Sequence, residues 1–391
     1  MNLYEHEGKV LFARMGISVP RGAVVDSPEA AGEAVNDIGF PVVAKCQVLS
    51  GRRGKAGGIK FASNKTELDF LCAQLFDLNL GNERVERLLI EERLPIDREL
   101  YVGITFGPKS AMPVLMVSTQ GGVEIELAAA ENPQALIKHI IDPLHTYRPH
   151  HLLTLAKQVG LDGPVMIKVA KVLGQLITCY FTYEAVTAEI NPLVVLKNGD
   201  IYAADAKIEI DDSAIYRQPE IKALERPEHV GHPLEREAQA AGVSYVRLNE
   251  TGNIGLICGG AGLGMATMDA VYHYGGVPAN FLDLGHATPD KTAAALEIVL
   301  KTPGVEGVFV NAYGGMNNCG EIGEGISKVV DALQPRQAIV VKMRGHSQEE
   351  GWAMMADRNI PVIKYGTTGE GIHLLMQTLK GTKEAVSGNS N

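Results

Sequence analysis

Two oxygen-bearing side chains, Asn191 and Asp205, stand out because each interrupts a short apolar run. The segment between the runs, 197–200, reads Lys-Asn-Gly-Asp, and an Asn-Gly pair favours the positive φ angles of a tight hairpin turn. A hairpin brings the two strands back to back, so that the amide oxygen and the carboxylate converge on one point. Magnesium suits such a pair, because it keeps several waters and takes only one or two protein oxygens beside substrate phosphates. A surface hairpin with solvated polar ends is the alternative.

A second candidate for phosphate chemistry is the loop 50–58, which follows a buried apolar strand that ends with Lys45. The loop holds four glycines and three cations in nine residues. Glycines let backbone N–H groups turn toward an anion and the cations neutralise its charge, as a polyphosphate requires. The loop is not a Walker A motif, because Lys55 is followed by Ala56. A basic surface turn is the alternative. Glu91, at the end of another apolar strand, could accept from an adenine amino group or a ribose hydroxyl. For Glu91 the alternative is a solvated strand end.

Glycines also follow an apolar strand at 260–264. The spacing fits a dinucleotide fingerprint poorly, since its last position is off by one, although Asp283 stands about 20 residues further on, where an acid is expected. The simpler interpretation is a helix N-terminus that presents bare backbone N–H groups to a phosphate or a carboxylate.

Length and composition predict an ordinary globular protein. A chain of 391 residues, 46% hydrophobic and 21% charged, is expected to form two or three domains. The net charge of −10 argues against a non-specific nucleic-acid surface. Five scattered cysteines without a CxxC pair favour free thiols in a reducing compartment. Because no N-terminal signal and no apolar run of about 18 residues is found, we expect neither secretion nor a membrane span, and place the protein in the cytoplasm.

The pattern of apolar residues changes near residue 250. This change predicts two domains, 1–235 and 250–391, joined by a charged linker at about 213–250. The first part mixes helices and strands. Its predicted elements include a helix over 2–16 with Leu3, Val10, Leu11 and Met15 on its buried face, a strand at 122–126 and a helix at 134–141. The second part has five apolar runs, 254–258, 278–282, 305–310, 338–343 and 361–364, with helical stretches between them. This alternation indicates a doubly wound parallel sheet, whose ligands bind at the carboxyl ends of the strands.

Several of these motifs occur together in an order that resembles the β subunit of succinyl-CoA synthetase, an ADP/GDP-forming acid–CoA ligase family. The resemblance rests on the segments 1–16, 45–58, 91–103, 189–193, 205–207 and 260–263. It implies an α/β chain in which an ATP-grasp domain is followed by a doubly wound, flavodoxin-like domain. This agrees with the different patterns of apolar residues before and after residue 250.

The resemblance also implies roles for single residues. Contacts to the nucleotide are implied for Lys45, Arg52, Arg53 and Gly54 at the phosphates, Glu91 and the main chain of Leu94 at the base, and Glu99 facing the nucleotide. Arg52 stands where the family usually has glycine. Asn191 and Asp205 are implied as Mg²⁺ ligands, and Glu189 as the carboxylate that orients a phosphohistidine. A carboxylate on an imidazole fixes its tautomer and leaves the other nitrogen to attack the γ-phosphate of the nucleotide.

In the family, that histidine and the CoA pocket belong to a separate α subunit. The chain is therefore expected to be half of an enzyme, in a heterodimer or an α2β2 assembly. The implied reaction joins an acid to CoA while ATP or GTP is split to the nucleoside diphosphate and phosphate. Two other classes stay open, a stand-alone ATP-grasp ligase of another carboxylate and a non-catalytic nucleotide-binding scaffold.

The acid pocket that the resemblance implies, at Gly259, Gly315, Met316 and Asn317, departs from the family pattern. Gly259 replaces an asparagine, the loop 283–288 is one residue shorter, and 315–319 is polar where the family is apolar and then basic. The lost volume and new donors at His286, Asn317 and Asn318 suit a longer, hydroxylated or sulfonated acid. Neutral change around a succinate pocket is the alternative. His286 could also carry a phosphoryl group, although such a histidine is more often structural.

Overall fold

The structure is a computed structural model that describes residues 1–49, 53–80, 83–107, 112–122, 135–144, 147–226 and 232–388. The chain divides into two compact units, Met1–His229 and Val230–Asn391. Each unit has its own sheets and its own apolar core.

The first unit consists of helices packed on antiparallel strands. Its described helices are α1 (Glu5–Arg14), α2 (Pro28–Ile38), α3 (Lys65–Phe76), α4 (Pro149–Gln158), α5 (Gly163–Thr182) and α6 (Pro219–Lys222), and a 3-10 turn covers Asp212–Arg217. Its described strands are β1 (Gly22–Val25), β2 (Val42–Cys46), β3 (Ile59–Ala62), β4 (Asn79–Leu80), β5 (Glu83–Arg84), β6 (Leu88–Glu92), β7 (Ile96–Phe106), β8 (Pro113–Ser118), β9 (Leu136–Ile140), β10 (Ala185–Leu196), β11 (Ile201–Ala203) and β12 (Lys207–Ile210).

Two main sheets organise this unit. One has the order β1-β6-β2-β3, and the other β11-β10-β7-β8-β9, with β12 pairing to β10. Helices α2 and α3 begin at side-chain caps, because Ser27 accepts from the Ala30 N–H and Asn64 from the Glu67 N–H. Helix α5 lies on the second sheet and buries residues such as Leu173 and Leu176 completely.

The second unit is a doubly wound α/β domain. Its described helices are α7 (Pro233–Ala241), α8 (Ala261–His273), α9 (Pro289–Lys301), α10 (Cys319–Leu333), α11 (Gln348–Ala356) and α12 (Thr368–Gly388). Its strands are β13 (Ser244–Arg247), β14 (Ile254–Cys258), β15 (Asn280–Asp283), β16 (Gly307–Gly314) and β17 (Ala338–Gly345). The sheet order is β13-β15-β14-β16-β17, and only β13 is antiparallel to its neighbour. The parallel strands follow the flavodoxin-like order 2-1-3-4, and an apolar cluster covers each face of the sheet.

Three sequence predictions about the elements are wrong. Residues 136–140 form strand β9, not a helix, and they alternate in burial as an edge strand does. The run 361–364 makes only a single bridge, between Val362 and Val341, where a fifth parallel strand was expected. The expected linker 213–250 contains α7 and the edge strand β13, so that the second unit begins earlier than residue 250. Most of the strand expected at 122–126 falls outside the described residues.

Helix α5 is long and apolar enough to cross a membrane by length and composition alone. Of its most apolar stretch, 44% is buried within its unit, and residues such as Leu173 and Leu176 belong to the apolar core; core helices pass the same test. The five cysteines are free and buried, as expected from their spacing. Burial raises the pKa of Cys179 and Cys258 to about 12, so these thiols stay protonated and unreactive.

Asn280 gives a test of the second unit. Its fully buried amide donates to the Leu256 carbonyl at 2.9 Å and accepts from the Leu256 N–H at 3.0 Å, which joins β15 to β14. Asn280→Ala leaves both backbone groups without that partner, so we expect urea unfolding to show a loss of about 1–3 kcal/mol. The exposed amide Gln377→Ala in the same unit is the control, with an expected change below about 0.5 kcal/mol. Equal effects from the two substitutions would contradict this account.

Candidate active site

The predicted hairpin brings Asn191 and Asp205 opposite each other. Strand β10 pairs with β12 at Glu189↔Lys207 and with β11 at Leu193↔Ala203, and the same register places Asn191 across from Asp205. The Ala204 N–H donates to the Pro192 carbonyl at 3.1 Å, which closes the ladder beside them. On the other edge of β10, a bulge between Ile190 and Leu193 shifts the pairing with β7. Bulges re-aim side chains next to functional sites, and this one carries Asn191.

Both side chains present hard oxygen atoms and hold hydrogen bonds. The Asn191 Oδ1 atom accepts from the Gly122 N–H at 2.9 Å, and the Asp205 Oδ1 atom accepts from the Arg53 guanidinium at 2.8 Å. Both residues are half-buried. Oxygen ligands of this kind at one point fit Mg²⁺, which needs few protein ligands. The described residues offer no group of three or more His, Cys, Asp and Glu side chains that could hold a metal without substrate oxygens.

The predicted phosphate loop lies against the same point. Lys45 on β2 donates to the Glu5 carboxylate at 2.9 Å and to the Ala204 carbonyl at 2.6 Å, and also pairs with Glu91 at 2.7 Å. Arg53 donates to the Cys46 carbonyl at 3.1 Å and reaches Asp205. Gly54 is exposed beside it, and the Gly57 N–H donates to its carbonyl. Arg52 lies outside the described residues, so its predicted role stays a prediction.

Glu91 is not a solvated strand end, which was one of its two sequence interpretations. Its carboxylate is 1% exposed and accepts from Lys9 at 2.6 and 2.8 Å in addition to the pair with Lys45. Gly22, opposite it on β1, leaves the room, since a Cβ atom there would lie 2.7 Å from the Glu91 Cγ atom. The carboxylate therefore holds the lysines, and an accepting role toward the base stays a prediction.

Sequence reasoning missed two members of this group, Glu5 and Lys9 on α1. They join Lys45, Arg53, Glu91 and Asp205 in one ion-pair network, which we call the charge cluster. The predicted apolar face of α1 was also wrong in part, because Val10 is 49% exposed. The buried face carries residues 5, 8, 9 and 12, which have the i, i+3, i+4, i+7 spacing of a helix stripe. A charged pair on that stripe was the available signal.

Ion pairing offsets the cost of burial to different degrees for the members of the charge cluster. Burial disfavours the charge on Glu5, yet the three surrounding cations outweigh burial and hold the pKa of its carboxyl far below the usual range. Burial likewise opposes the charge on Lys45, but Glu5 and Glu91 raise its pKa above the usual value. Burial, reinforced by the charge of Lys45, lowers the pKa of Lys9. Burial also raises the pKa of Asp205, although Arg53 opposes the shift.

The other residues predicted to lie at the nucleotide are on neighbouring elements of the first unit. Glu99 is an exposed residue of β7 that pairs with Val194 of β10. Leu94 lies between β6 and β7, and its carbonyl accepts from the Ile96 N–H. Glu189 lies two residues before Asn191, whose Nδ2 atom donates to the Glu189 Oε1 atom at 3.4 Å. The structure thus brings Glu189 and Asn191 into contact. Arg53 contacts both Asp205 and Glu5, and Glu5 in turn contacts Lys45.

The residues predicted for the acid pocket meet at one edge of the second unit. Gly259 follows β14 and the loop 315–317 follows β16, and these two strands are parallel neighbours. After β14 the chain crosses to β15 on one side, and after β16 it crosses to β17 on the other side. Ligands of open α/β sheets bind at this switch point. Asn317 is 6% exposed and its Oδ1 atom accepts from the Ala287 N–H at 2.8 Å. A Cβ atom on Gly259 would lie 3.2 Å from the Asn317 Nδ2 atom, so Asn317 uses the space beside Gly259.

Other polar residues of this edge have structural roles. The Asp283 carboxylate accepts from the Gly260 N–H at 2.8 Å and the Gly285 N–H at 2.9 Å, which ties two loops together. Asp283 is therefore not arranged as the ribose ligand of a dinucleotide site. The Asn318 Oδ1 atom caps α10 by accepting from the Gly320 N–H, and a role of the Asn318 amide nitrogen as a substrate donor stays a prediction. His286, Gly315 and Met316 are exposed.

Known families match both units. An ATP-grasp domain model matches residues 2–195, and a CoA-ligase model matches residues 257–367. In its fold, the chain is also similar to a solved structure of ATP citrate lyase from Methanothrix soehngenii, with a TM-score of 0.70, 18% identity and coverage of 96% of this chain and 99% of that one. Fold and site together define an ATP-grasp chain with a CoA-ligase domain.

Curated relatives identify the family more closely. The chain is 40% identical to the β subunit of an ADP-forming succinate–CoA ligase from Persephonella marina, over 95% of this chain and 97% of the relative. It is also 40% identical to the β subunit of a GDP-forming succinate–CoA ligase from Thermus thermophilus, over 97% of this chain and all of the relative. The chain belongs to the succinate–CoA ligase β-subunit family, whose members are enzymes of the ligase class. The family uses ATP or GTP and CoA, with Mg²⁺ typical of ATP-grasp enzymes.

Two neighbouring glutamates of β6 test the charge cluster. Glu91→Gln removes a buried charge and leaves two lysines without their shared carboxylate, so we expect the free energy of unfolding to fall by about 3–5 kcal/mol. The matched control is Glu92→Gln, which breaks an ion pair with Arg21 at the surface and should cost about 1 kcal/mol or less. Urea unfolding of both variants provides the comparison. A Glu91→Gln protein as stable as Glu92→Gln would show that the cluster is not held by Glu91.

Proposed function

We propose that this chain is the β subunit of a nucleoside-diphosphate-forming acid–CoA ligase that phosphorylates a histidine of an α subunit. The observation that carries the proposal is the juxtaposition of Asn191, Asp205 and Glu189 with Lys45 and Arg53 in the first unit. Two cations and two oxygen ligands provide what a triphosphate with a divalent metal needs. A scaffold that only binds a nucleotide has no use for a carboxylate two residues from a metal ligand.

The residues present fit a magnesium site built with the substrate. Asn191 and Asp205 would hold Mg²⁺, which when bound spreads the charge of the phosphoryl group. Lys45, Arg53 and Gly54 would bind the phosphate oxygens, together with Arg52. Since Asp205 is engaged by Arg53, a nucleotide phosphate that attracts Arg53 would also release the carboxylate for the metal. Phosphate binding to Arg53 would free Asp205 for the metal, and metal binding to Asp205 would free Arg53 for the phosphate. The two binding events would therefore favour each other.

Glu189 would orient the incoming histidine. A carboxylate that accepts from one imidazole nitrogen fixes the tautomer and exposes the lone pair of the other nitrogen toward the γ-phosphate. The β-subunit names of the relatives support a companion chain, which would supply this histidine and the CoA pocket in a heterodimer or an α2β2 assembly. We place the complex in the cytoplasm, in keeping with the five free thiols.

Phosphoryl transfer from radiolabelled ATP tests these roles. With an α-type chain that carries a glycine-flanked histidine, we expect wild type to form an acid-labile phosphohistidine. Glu189→Gln and Asp205→Asn should slow its formation by about 100-fold or more, because each removes a group placed at the developing charge or the nucleophile. Asp200→Asn is the control, since it lies in the same hairpin and pairs only with exposed Lys168 and the turn itself. Labelling that survives loss of Glu189 and Asp205 would refute the proposal, and turnover without an α chain would favour a stand-alone ligase.

The acid site is the part of the proposal that rests on the expected departures of this chain from the family pattern. With glycine at position 259, Asn317 brings an amide into the space that a side chain at that position would fill. We propose an acid with an additional polar group, such as a hydroxyl or a sulfonate, that pairs with the Asn317 amide. A buried polar group discriminates strongly, because a substrate that lacks the matching group leaves it unpaired.

A panel of acids tests this assignment. We expect a hydroxylated, longer or sulfonated acid to give a higher kcat/KM than succinate in an ADP-release assay with CoA and the α chain. Asn317→Ala should reduce the preference at least about tenfold while the KM for ATP stays unchanged. Leu333→Ala, an exposed position at the far end of α10 from the pocket, is the control. A clear preference of wild type for succinate would show instead that the pocket has changed neutrally.

A further inference from the structure

The first helix contributes a charged pair to the interior of the first unit. Glu5 and Lys9 lie one turn apart on α1, and they are only 3% and 4% exposed. Charged side chains are almost never buried to this degree unless they are paired. Helix α1 already has Leu11 and Phe12 to anchor it in the core, at 2% and 0% exposure. Burying a salt bridge costs desolvation that apolar residues would avoid, so anchoring alone does not account for the pair.

Glu5 is the one carboxylate that contacts all three cations of the charge cluster. Its Oε1 atom lies 2.7 Å from the Lys9 Nζ atom and 2.9 Å from the Lys45 Nζ atom, and its Oε2 atom accepts from Arg53. Lys45 and Arg53 come from β2 and from the loop after it, so Glu5 fixes the separation and the direction of the two cations. A polyphosphate that uses both cations requires that arrangement before it binds.

Lys9 connects the cluster to the segment that carries Asp205. Its Nζ atom donates to the Ala204 carbonyl at 2.9 Å, and Lys45 donates to the same carbonyl at 2.6 Å. Ala204 directly precedes Asp205. On the other side, a Cβ atom on Gly8 would lie 3.1 Å from the Ala206 Cβ atom, so the helix backbone runs close to the residue that follows Asp205. Helix α1 therefore contacts both neighbours of this carboxylate.

We propose that Glu5 and Lys9 are positioning residues of the nucleotide and metal site. Glu5 aims Lys45 and Arg53 at the phosphates, and Lys9 holds Glu91 and the Ala204 carbonyl so that Asp205 stays opposite Asn191. Neither side chain touches the reacting atoms. This inference rests on the proposed function, because it assigns the pair to the same site.

Calorimetric titration of the full-length chain with ADP, in MgCl2 and in EDTA, tests the proposal without turnover. We expect Glu5→Gln and Lys9→Met to weaken ADP binding in MgCl2 about tenfold or more, because each removes a charge-assisted hydrogen bond that orders the site. The tightening of ADP binding by Mg²⁺ should shrink as well. The matched control is Glu7→Gln, which removes another buried charge of α1 that pairs with Arg226 at 2.8 Å, away from Lys45. Its ADP affinity should stay within about twofold of wild type even if its melting temperature falls.

Hydrogen exchange of wild type covers the case in which a variant fails to fold. Addition of Mg-ADP should increase the protection of two sets of peptides at once, those that contain residues 5–14 and those that contain residues 204–207. Absence of ADP binding by wild type would overturn the proposed function itself. Normal binding by wild type with unchanged affinity in folded Glu5→Gln and Lys9→Met, or with no added protection of α1, would overturn only the positioning role.

Discussion

The first unit depends on a balance of three cations and three carboxylates that share one buried cluster. None of the six charges is stable there alone, since an isolated ion in the interior loses more in solvation than a single partner returns. The balance therefore binds four parts of the chain to one another: α1, the β2 strand with its loop, β6 and the segment before β12. These parts are distant in sequence, and the ion pairs determine how they meet.

The same balance explains why the arrangement suits a highly charged ligand. A site that is neutral as a whole and contains several ion pairs can accept an anion and a metal ion by exchanging partners, without creating a new buried charge. Arg53 and Asp205 form the pair in which this exchange is most direct, because one side chain fits phosphate and the other fits a divalent cation. The hairpin register and the bulge at Asn191 then place a second hard oxygen atom, the Asn191 Oδ1 atom, opposite Asp205.

Local patterns in the sequence were sufficient for much of this site. The Asn-Gly turn predicted the register that opposes Asn191 and Asp205, and the glycines and cations of the loop after Lys45 predicted a phosphate site, whose Arg53 lies against Asp205. Glu5 and Lys9 could not be recognised in the same way, because charged residues in an amphipathic helix are normally assigned to solvent and their partners come from distant strands. The misassigned segments 136–140 and 361–364 have a related cause. Residues 136–140 form a strand because they pair with β8 at the edge of the sheet. The run 361–364 is apolar but makes only one bridge to the sheet.

The close approach of Asn317 to Gly259 has a consequence for the evolution of this family. Because the two positions share one small volume, a larger residue at position 259 crowds the amide of residue 317, and the loss of that amide opens a gap beside the glycine. Substitutions at the two sites are therefore epistatic. A lineage that changes both positions in separate steps must pass through intermediates in which this corner is either overfilled or empty, and the order in which the two codons change decides which of these intermediates selection meets first.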